Sequence, residues 1–159
     1  MFMSFKKIKP YLISIAIALA AGGLGGIVTY RGLPAYEQLT KPPLTPPSIV
    51  FPIVWAILYV LMGISAAIIY QSPTVRLDTA LAIYALQLLF NILWSVFFFG
   101  MQAYLFSFVW LVLLWLLILL MIKSFSKINK TAALLQIPYL LWVTFAGYLN
   151  FAIWMLNKS

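Results

Sequence analysis

The side chains that can do chemistry in this chain of 159 residues are mainly aromatic rings and amides. Histidine and cysteine are absent, and Glu37 and Asp78 are the only acids. Thiolate and imidazole metal sites, haem with an axial histidine, and Ser-His-Asp or Cys-His catalysis are therefore excluded within one chain. Paired carboxylate catalysis would need the two acids to meet, and we expect both near loops. Tryptophan, tyrosine, asparagine and glutamine remain, so conventional hydrolysis is disfavoured.

The most informative aromatic residues are Phe51, Trp55 and Tyr59, which recur every four residues. This spacing places three rings on one face of a helix. Directly before them, residues 41–48 contain four prolines. Proline fixes φ and removes a backbone donor, so this segment is predicted to be extended and stiff. We interpret the proline-rich segment as the lid of a pocket and the aromatic helix face as its first wall.

A second face combines amides with aromatic rings. Gln87 and Asn91 are one helical turn apart, Tyr84 precedes Gln87 by three residues, and Trp94 follows Asn91 by three. An unpaired amide in hydrocarbon costs on the order of several kcal/mol, so this face is predicted to point into a helix bundle. Two interpretations stay open: the amides hold helices together by hydrogen bonds, or they are polar anchors in an aromatic pocket.

Two further helix faces carry small residues. Trp142, Ala146 and Asn150 (or Leu149) share a face near the C-terminus, where Ala146 leaves room for a ligand. Near the N-terminus, small residues recur every four positions as Ala18, Gly22 and Gly26, with Ala21 and Gly25 in a second row. Such rows allow close helix packing. Packing within the chain, packing on a second subunit and a ligand crevice are the three interpretations.

The elements that position these residues are membrane-spanning helices. The chain is 65% hydrophobic and 8% charged, whereas soluble domains carry roughly a quarter charged residues. We predict an all-α integral membrane protein, a single domain over residues 1–159 with five transmembrane helices. The predicted spans are residues 10–29, 48–70, 78–99, 104–122 and 131–156, and a long proline-rich loop covers residues 30–47 between the first two.

Local signals refine these spans. Ser48 is predicted to cap the second helix, and Pro138 to kink the fifth. Residues 18–20, Ala-Leu-Ala, resemble a signal-peptide cleavage site, but the apolar stretch continues about nine residues beyond it. We therefore expect a retained helix.

The net charge of +8 is explained by basic residues at the membrane edges rather than by nucleic-acid binding. Five spans place seven Lys or Arg residues on the side of the N-terminus. The other side holds Arg31, Lys41 and Lys158. The positive-inside rule then predicts a cytoplasmic N-terminus, with the proline-rich loop and the C-terminus outside. Membrane lipids are the expected surroundings.

Three motifs together resemble one family. The first is Lys41-Pro42-x-x-x-Pro46-Pro47 followed by Val54-Trp55-x-x-Leu58-Tyr59-x-x-Met62-Gly63. The second is Gln87-x-x-x-Asn91-x-x-Trp94 followed by Phe98-Phe99-Gly100. The third is Pro138-Tyr139-Leu140-x-Trp142 with Leu149-Asn150-Phe151-x-x-Trp154. In this order they resemble the TspO/translocator protein family, the tryptophan-rich sensory proteins that include the peripheral benzodiazepine receptor, and specifically its bacterial members.

The resemblance implies a five-helix bundle, often a homodimer, in the bacterial plasma membrane. It implies a pocket under the first long loop that binds protoporphyrin IX, without a required cofactor or metal, and synthetic ligands such as PK11195. Some bacterial relatives are said to degrade protoporphyrin in light with two tryptophans, which match Trp55 and Trp142. The expected ligand-binding set is Pro47, Phe51, Trp55, Tyr59, Phe90, Asn91, Trp94, Trp142 and Ala146, with Arg31 and Lys41 of the lid meeting propionates.

One animal property is not carried over. Animal members bind cholesterol through a C-terminal pattern that includes a tyrosine and an arginine, and this chain has Phe151 and Met155 at those places. Cholesterol binding is therefore not expected.

Four functional hypotheses remain. The chain is a tetrapyrrole-binding protein or stress sensor, an enzyme that degrades protoporphyrin photo-oxidatively, a transporter of porphyrin or other small lipophiles, or a membrane scaffold. Five helices without inverted repeats or an intramembrane charge provide little machinery for alternating access. The absence of histidine favours a metal-free tetrapyrrole over haem.

Overall fold

Five apolar helical segments, each long enough to cross a bilayer, form the part of the chain that the structure describes, residues 4–158 of a computed structural model. The helices are α1 (Phe5–Glu37), α2 (Val50–Tyr70), α3 (Leu77–Ser95) with a π-helical turn (Val96–Gly100), α4 (Tyr104–Ser126), α5 (Lys130–Leu135) and α6 (Ile137–Asn157). Helices α5 and α6 together make the fifth span. The predicted all-α membrane protein with five spanning helices is confirmed.

Helix α1 extends further than the sequence predicts. It continues through residues 30–37, so the prediction that these residues belong to a loop is wrong, and the non-helical connection is residues 38–49. Tertiary packing explains the difference. Tyr36 is buried and its ring lies 5.7 Å from that of Phe99. Gly32 lies so close to the π-helical turn that an added Cβ would be 2.5 Å from the carbonyl oxygen of Phe99.

The start of α2 also differs from expectation. Ile49, not Ser48, occupies the N-cap position, and no side chain in the described part of the chain caps the helix. The Ser48 hydroxyl instead donates a hydrogen bond to the carboxylate of Glu37. The predicted cap is therefore wrong, because Ser48 bridges the end of α1 to the start of α2.

Two local irregularities shape the rest of the bundle. The π-helical turn closes with a hydrogen bond of 2.8 Å from the Met101 N–H to the Val96 carbonyl. Such turns widen a helix locally and occur often at functional sites. The fifth span is interrupted at Gln136, between α5 and α6. This interruption lies two residues before Pro138, where the sequence predicts a kink, and proline cannot donate a hydrogen bond to the preceding turn.

The small residues of α1 pack mainly within the chain. Ala18, Ala21 and Gly25 are buried, and an added Cβ at Gly25 would lie 3.2 Å from Ser95 Oγ. Gly63 of α2 lies against the backbone of Ile15. Helix α1 therefore lies close to α2 and α3, which is the intramolecular packing foreseen for these rows. Gly22 and Gly26 border a cavity.

Candidate functional site

A cavity of about 600 Å³ lies between α1, α2, α3, the π-helical turn and α6. Its aromatic walls come from eight residues: Tyr30, Tyr36, Phe51, Trp55, Tyr59, Trp94, Phe98 and Phe99. The polar side chains at its surface are those of Thr29, Ser48, Asn91, Ser95 and Asn150. No described residue that lines it is charged. This is an apolar, aromatic site with a few hydrogen-bonding groups, the usual character of a small-molecule pocket.

Six of the eleven residues predicted to bind the ligand line this cavity. They are Phe51, Trp55 and Tyr59 of α2, Asn91 and Trp94 of α3, and Ala146 of α6. The helical spacing that put the three α2 rings on one face explains why they arrive together. Asn91 and Trp94 are both buried, which confirms that this face of α3 points into the bundle.

Three other predicted residues lie outside the cavity lining. Pro47 is exposed in the connection before α2. Phe90 faces α4, where its ring stacks on Trp110 at 4.2 Å, and the Trp110 indole N–H donates to the Phe90 carbonyl. Trp142 lies behind Phe51, with ring centroids 5.9 Å apart. A role for these residues in ligand binding stays a prediction.

Trp142 has one unusual feature. Its indole N–H is buried and meets no hydrogen-bond acceptor within the described part of the chain. Its ring is flanked by Phe51 and by Phe145, whose centroid is 5.6 Å away. Trp142 therefore does not line the cavity itself, but its ring contacts Phe51, which does.

The two cations predicted for the lid also lie outside the cavity lining. Arg31 is exposed on the last third of α1, next to the lining residue Tyr30. The Lys41 ammonium donates to the carbonyls of Glu37 at 3.1 Å and Leu39 at 3.2 Å. It also lies 4.9 Å from the centre of the Tyr36 ring. Lys41 thus satisfies carbonyls at the end of α1 and covers its last aromatic ring.

A buried chain of hydrogen bonds joins three helices at the cavity floor. The Tyr59 hydroxyl donates to Asn91 Oδ1 at 2.9 Å, and Asn91 Nδ2 donates to the Tyr139 hydroxyl at 2.7 Å. The Tyr139 hydroxyl then donates to Gln87 Oε1 at 2.7 Å. Gln87 therefore holds helices together, whereas Asn91 does so and also lines the cavity. The helix-holding interpretation therefore applies to both amides, and a role for Asn91 as a polar anchor for a ligand stays a prediction.

Asn150 is a second polar centre whose partners the sequence did not reveal. Its Oδ1 accepts from the Trp94 indole N–H at 3.0 Å and from the Ser107 hydroxyl at 3.2 Å. Its Nδ2 donates to the Tyr104 carbonyl at 2.8 Å. Asn150 thereby fixes the Trp94 ring in the cavity wall. The sequence signal was an asparagine on the same face as Ala146.

The Trp55 indole is held between two tyrosines of the hydrogen-bonded chain. It stacks on Tyr59 with centroids 5.7 Å apart, and it meets the Tyr139 ring edge-on at 6.2 Å. Gly22 of α1 allows Tyr59 to adopt this position, since an added Cβ would lie 2.5 Å from the tyrosine ring. The orientation of Trp55 is therefore set by residues on α1, α2 and α6.

Several lining residues were not predicted as site residues. Tyr36, Phe98 and Phe99 lie at the end of the cavity next to residues 38–49, here called the outer end, and their ring centroids are within 6.3 Å of one another. A strip of α1 forms one wall: Leu19, Gly22, Gly23, Gly26, Thr29 and Leu33. The glycine rows had raised the possibility of a ligand crevice, which was the available signal for this wall. Nothing in the sequence placed Tyr36 there, because its segment was expected to be a loop.

Hydrogen bonds fasten the connection between α1 and α2 over the outer end. The Thr40 N–H donates to Asn157 Oδ1 at 3.0 Å, and Asn157 Nδ2 returns a bond to the Thr40 carbonyl at 2.9 Å. The Tyr148 hydroxyl donates to the Pro43 carbonyl at 2.9 Å. Residues 38–49 are therefore tied to α6 at two places.

Comparison with known proteins finds similarity over almost the whole chain. The TspO/MBR family pattern matches residues 14–155. A tryptophan-rich protein TspO of Chlorobaculum tepidum is 40% identical, covering 96% of this chain and 98% of the relative. Protein CrtK of Rhodobacter capsulatus is 35% identical, with 99% and 96% covered. A translocator protein of Ovis aries is 30% identical, with 94% and 93% covered.

Proposed function

The chain belongs to the TspO/MBR family, and from this premise we propose that it binds a flat, lipophilic tetrapyrrole, protoporphyrin IX, inside the membrane. The observation that carries the proposal is the aromatic cavity of about 600 Å³ assembled from α1, α2, α3 and α6. Small-molecule pockets have volumes of roughly 300–1,000 Å³. Other flat aromatic ligands, including isoquinoline carboxamides such as PK11195, would use the same walls.

The walls suit a large planar ring. Trp55 and Tyr59 present stacked rings on one side, and Trp94 with Phe98, stacked 5.1 Å apart, present another. Offset stacking on such rings contributes about 0.5–1.5 kcal/mol per pair beyond the burial of apolar area. Ala146 has no side chain beyond Cβ, so it leaves space beside these rings.

The polar groups suit the edge of the ligand rather than its face. Asn91 uses Oδ1 to accept from Tyr59 and one Nδ2 hydrogen to bind Tyr139, so its second N–H is available. Thr29 and Ser48 border the cavity nearer the ends of α1 and α2. In this proposal the propionates point towards that outer end, where Arg31 is one residue from the lining residue Tyr30. The protein itself holds no metal in this proposal.

A titration of the purified protein in lipid nanodiscs with metal-free protoporphyrin IX tests the proposal. Binding should saturate and shift the porphyrin absorbance. Trp55→Ala should weaken binding about tenfold, equivalent to ~1.4 kcal/mol, because a stacking surface is lost. Trp115→Ala is the matched control, since the Trp115 indole donates to Thr144 outside the cavity. Linear, non-saturable uptake by all three proteins would refute the proposal.

Light-dependent degradation of the bound porphyrin is the second candidate function. The supporting observation is that an oxidisable indole, Trp55, lines the cavity and stacks on Tyr59. In this reaction the porphyrin absorbs light and dioxygen is the oxidant. Illumination should produce a new absorbance band with the wild type, and the band should be weaker with Trp55→Phe and with Trp142→Phe. Equal bands from all three proteins would leave the tryptophans without a chemical role.

The setting of this function is the membrane. The family and the five apolar helices make the chain an integral membrane protein. We propose a bacterial plasma membrane, a homodimer and a cytoplasmic N-terminus, the last because seven of the ten basic residues lie on that side. A reporter fused after Lys158 should therefore be active outside the cytoplasm. Activity of that reporter in the cytoplasm would contradict the proposed orientation and indicate the opposite one.

A further inference from the structure

We propose that ligands reach the cavity sideways from the bilayer, through a gap between α1 and α2, rather than from water through the connection above it. The inference rests on the proposed function, because it assigns the route to the same cavity. The gap is defined by Gly23 and Gly26 on α1 and by Pro52 and Ala56 on α2. In the absence of a ligand, an acyl chain of a neighbouring phospholipid fills the gap.

The residues of the gap both line the cavity and lie on the outer surface. Gly23, Gly26, Pro52 and Ala56 are all exposed, although each borders the cavity. An added Cβ at Gly23 or at Gly26 would meet no described atom within 4 Å. Helix α1 therefore has open space beside it at these two positions, whereas α1 and α2 touch at Gly22, against the Tyr59 ring, and at Gly63, where an added Cβ would lie 2.5 Å from the Ile15 backbone. The cavity is open to the outside along this line.

The gap faces hydrocarbon. Ala56 is the seventh residue of α2, six residues after Val50, which places it about 9 Å along the helix from its first residue. The hydrocarbon core is about 30 Å thick and takes about 20 helical residues to cross. The residues of the gap are glycine, proline and alanine, without a charged or hydrogen-bonding side chain. A solute dissolved in the acyl chains meets this opening directly.

The alternative route, from water, is closed by the connection between α1 and α2 and by the hydrogen bonds that hold it in place. Residues 38–49 cover the outer end and are tied to α6 through Thr40–Asn157 and through Tyr148 and the Pro43 carbonyl. Pro42 is buried under this connection. The hydrogen bond from Ser48 to Glu37 closes the gap at its aqueous end. Passage from water would break several of these contacts, whereas no hydrogen bond among the described residues joins Gly23 or Gly26 to Pro52 or Ala56.

A size-selective block of the gap tests the route. The chain contains no cysteine, so Gly26→Cys introduces a unique thiol at the gap. Ile27→Cys is the matched control, because Ile27 is the next residue, is 55% exposed and does not line the cavity. Each variant is compared before and after reaction with a bulky, non-fluorescent aryl maleimide in detergent, followed by transfer to nanodiscs. Stopped-flow quenching of tryptophan by protoporphyrin IX then gives the rates.

The labelled Gly26→Cys protein should associate with protoporphyrin about tenfold more slowly than its unlabelled form, and dissociate correspondingly more slowly, because a blocked route slows both directions. Labelling Ile27→Cys should leave both rates unchanged. Asn157→Ala, which frees the connection, should also leave them unchanged. Unchanged rates for labelled Gly26→Cys, together with faster association of Asn157→Ala, would overturn the proposal in favour of the aqueous route.

A second readout needs no porphyrin and so separates this inference from the proposed function. In nanodiscs of acyl-brominated phosphatidylcholine, bromine quenches tryptophan on contact. The contribution of Trp55 to the fluorescence, obtained by comparison with Trp55→Phe, should be quenched by the brominated lipid. A label on Gly26→Cys should protect Trp55 from this quenching, whereas a label on Ile27→Cys should not. Absence of quenching at Trp55 would overturn the lateral route. The route would also be overturned if a second copy of the chain, rather than the label, shielded Trp55 from the brominated lipid. A number of chains per nanodisc that changes on labelling would reveal this second case.

Discussion

Tyr59 is the residue on which the cavity wall depends most directly. Its ring lies against Gly22 of α1 and stacks on Trp55, and its hydroxyl donates to Asn91 of α3. These three contacts come from α1, from the preceding turn of α2 and from α3, respectively. A displacement of Tyr59 would therefore move the Trp55 indole and break the hydrogen-bonded chain at its first link.

Substituting Gly22 provides a test of this dependence. Gly22→Ala should lower the stability in detergent by about 1–3 kcal/mol, because the new Cβ would lie 2.5 Å from the Tyr59 ring. Gly26→Ala is the control on the same helix, where the methyl group meets open space. It should be neutral or slightly stabilising, since alanine is the better helix former. Equal thermal unfolding midpoints for the two variants would contradict the packing described here.

The Tyr139 hydroxyl is the central link of the buried chain. Tyr139→Phe removes the acceptor for Asn91 and the donor for Gln87, so stability should fall by about 1–2 kcal/mol. Tyr84→Phe is the matched control, because the Tyr84 hydroxyl is buried without a partner in the described part of the chain. Its removal should cost nothing. Thermal unfolding of the two variants, measured side by side, would contradict this account if Tyr84→Phe were the more damaging.

At this scale, helical spacing predicted which residues share a face but not how they are partnered. The i, i+4 pattern correctly assigned Phe51, Trp55 and Tyr59 to one wall. The same reasoning missed that Asn150 binds Trp94, because a hydrogen bond between distant helices depends on their rotation and depth. Phe90 precedes Asn91 yet faces α4, since neighbouring residues differ by about 100° around a helix.

Among the elements, the connection between α1 and α2 depends on contacts that are distant in sequence. Lys41 satisfies carbonyls at the end of α1, and Asn157, at the end of α6, binds both backbone groups of Thr40. The four prolines restrict the conformations available to the free connection, so fewer contacts suffice to fix it. The connection is therefore a fixed cover rather than a free loop.

Removing the Asn157 side chain should loosen this cover without unfolding the bundle. In Asn157→Ala, the Thr40 amide should exchange with deuterium about tenfold faster, because two hydrogen bonds of roughly 1 kcal/mol each are lost. Lys158→Ala is the control, since this cation only lies over the Trp154 ring at 5.0 Å. Hydrogen exchange resolved by mass spectrometry gives the comparison. Unchanged exchange at Thr40 would show that the connection is held by other contacts.

The spans themselves were predictable, but the end of α1 was not. Apolar length alone located the five helices, and Pro138 predicted the break in the last span. Residues 30–37 contain Arg31, Gly32 and Pro34, which read locally as a loop. They are helical because Gly32 packs on the π-helical turn and Tyr36 is buried among aromatic rings, contacts that no local pattern encodes.

At the scale of the whole molecule, the cavity and the hydrogen-bonded chain at its floor explain where many of the aromatic residues and buried amides lie. Eight aromatic rings line the cavity, and the chain of hydrogen bonds from Tyr59 to Gln87 continues from the cavity into the interior. Gln87 and Asn91 lie where α2, α3 and α6 meet. Asn150 lies where α3, α4 and α6 meet. Polar groups thus fix the helices around an otherwise apolar site.

Nuclear magnetic resonance of the six tryptophan indole N–H groups tests the central claim, that a tetrapyrrole binds in this cavity, most directly. A bound porphyrin shifts nearby protons strongly through its ring current. Addition of protoporphyrin IX should move the Trp55 and Trp94 signals in a saturable manner and leave those of Trp115 and Trp154, which do not line the cavity, in place. Saturable shifts at Trp115 or Trp154, with Trp55 and Trp94 unmoved, would contradict it.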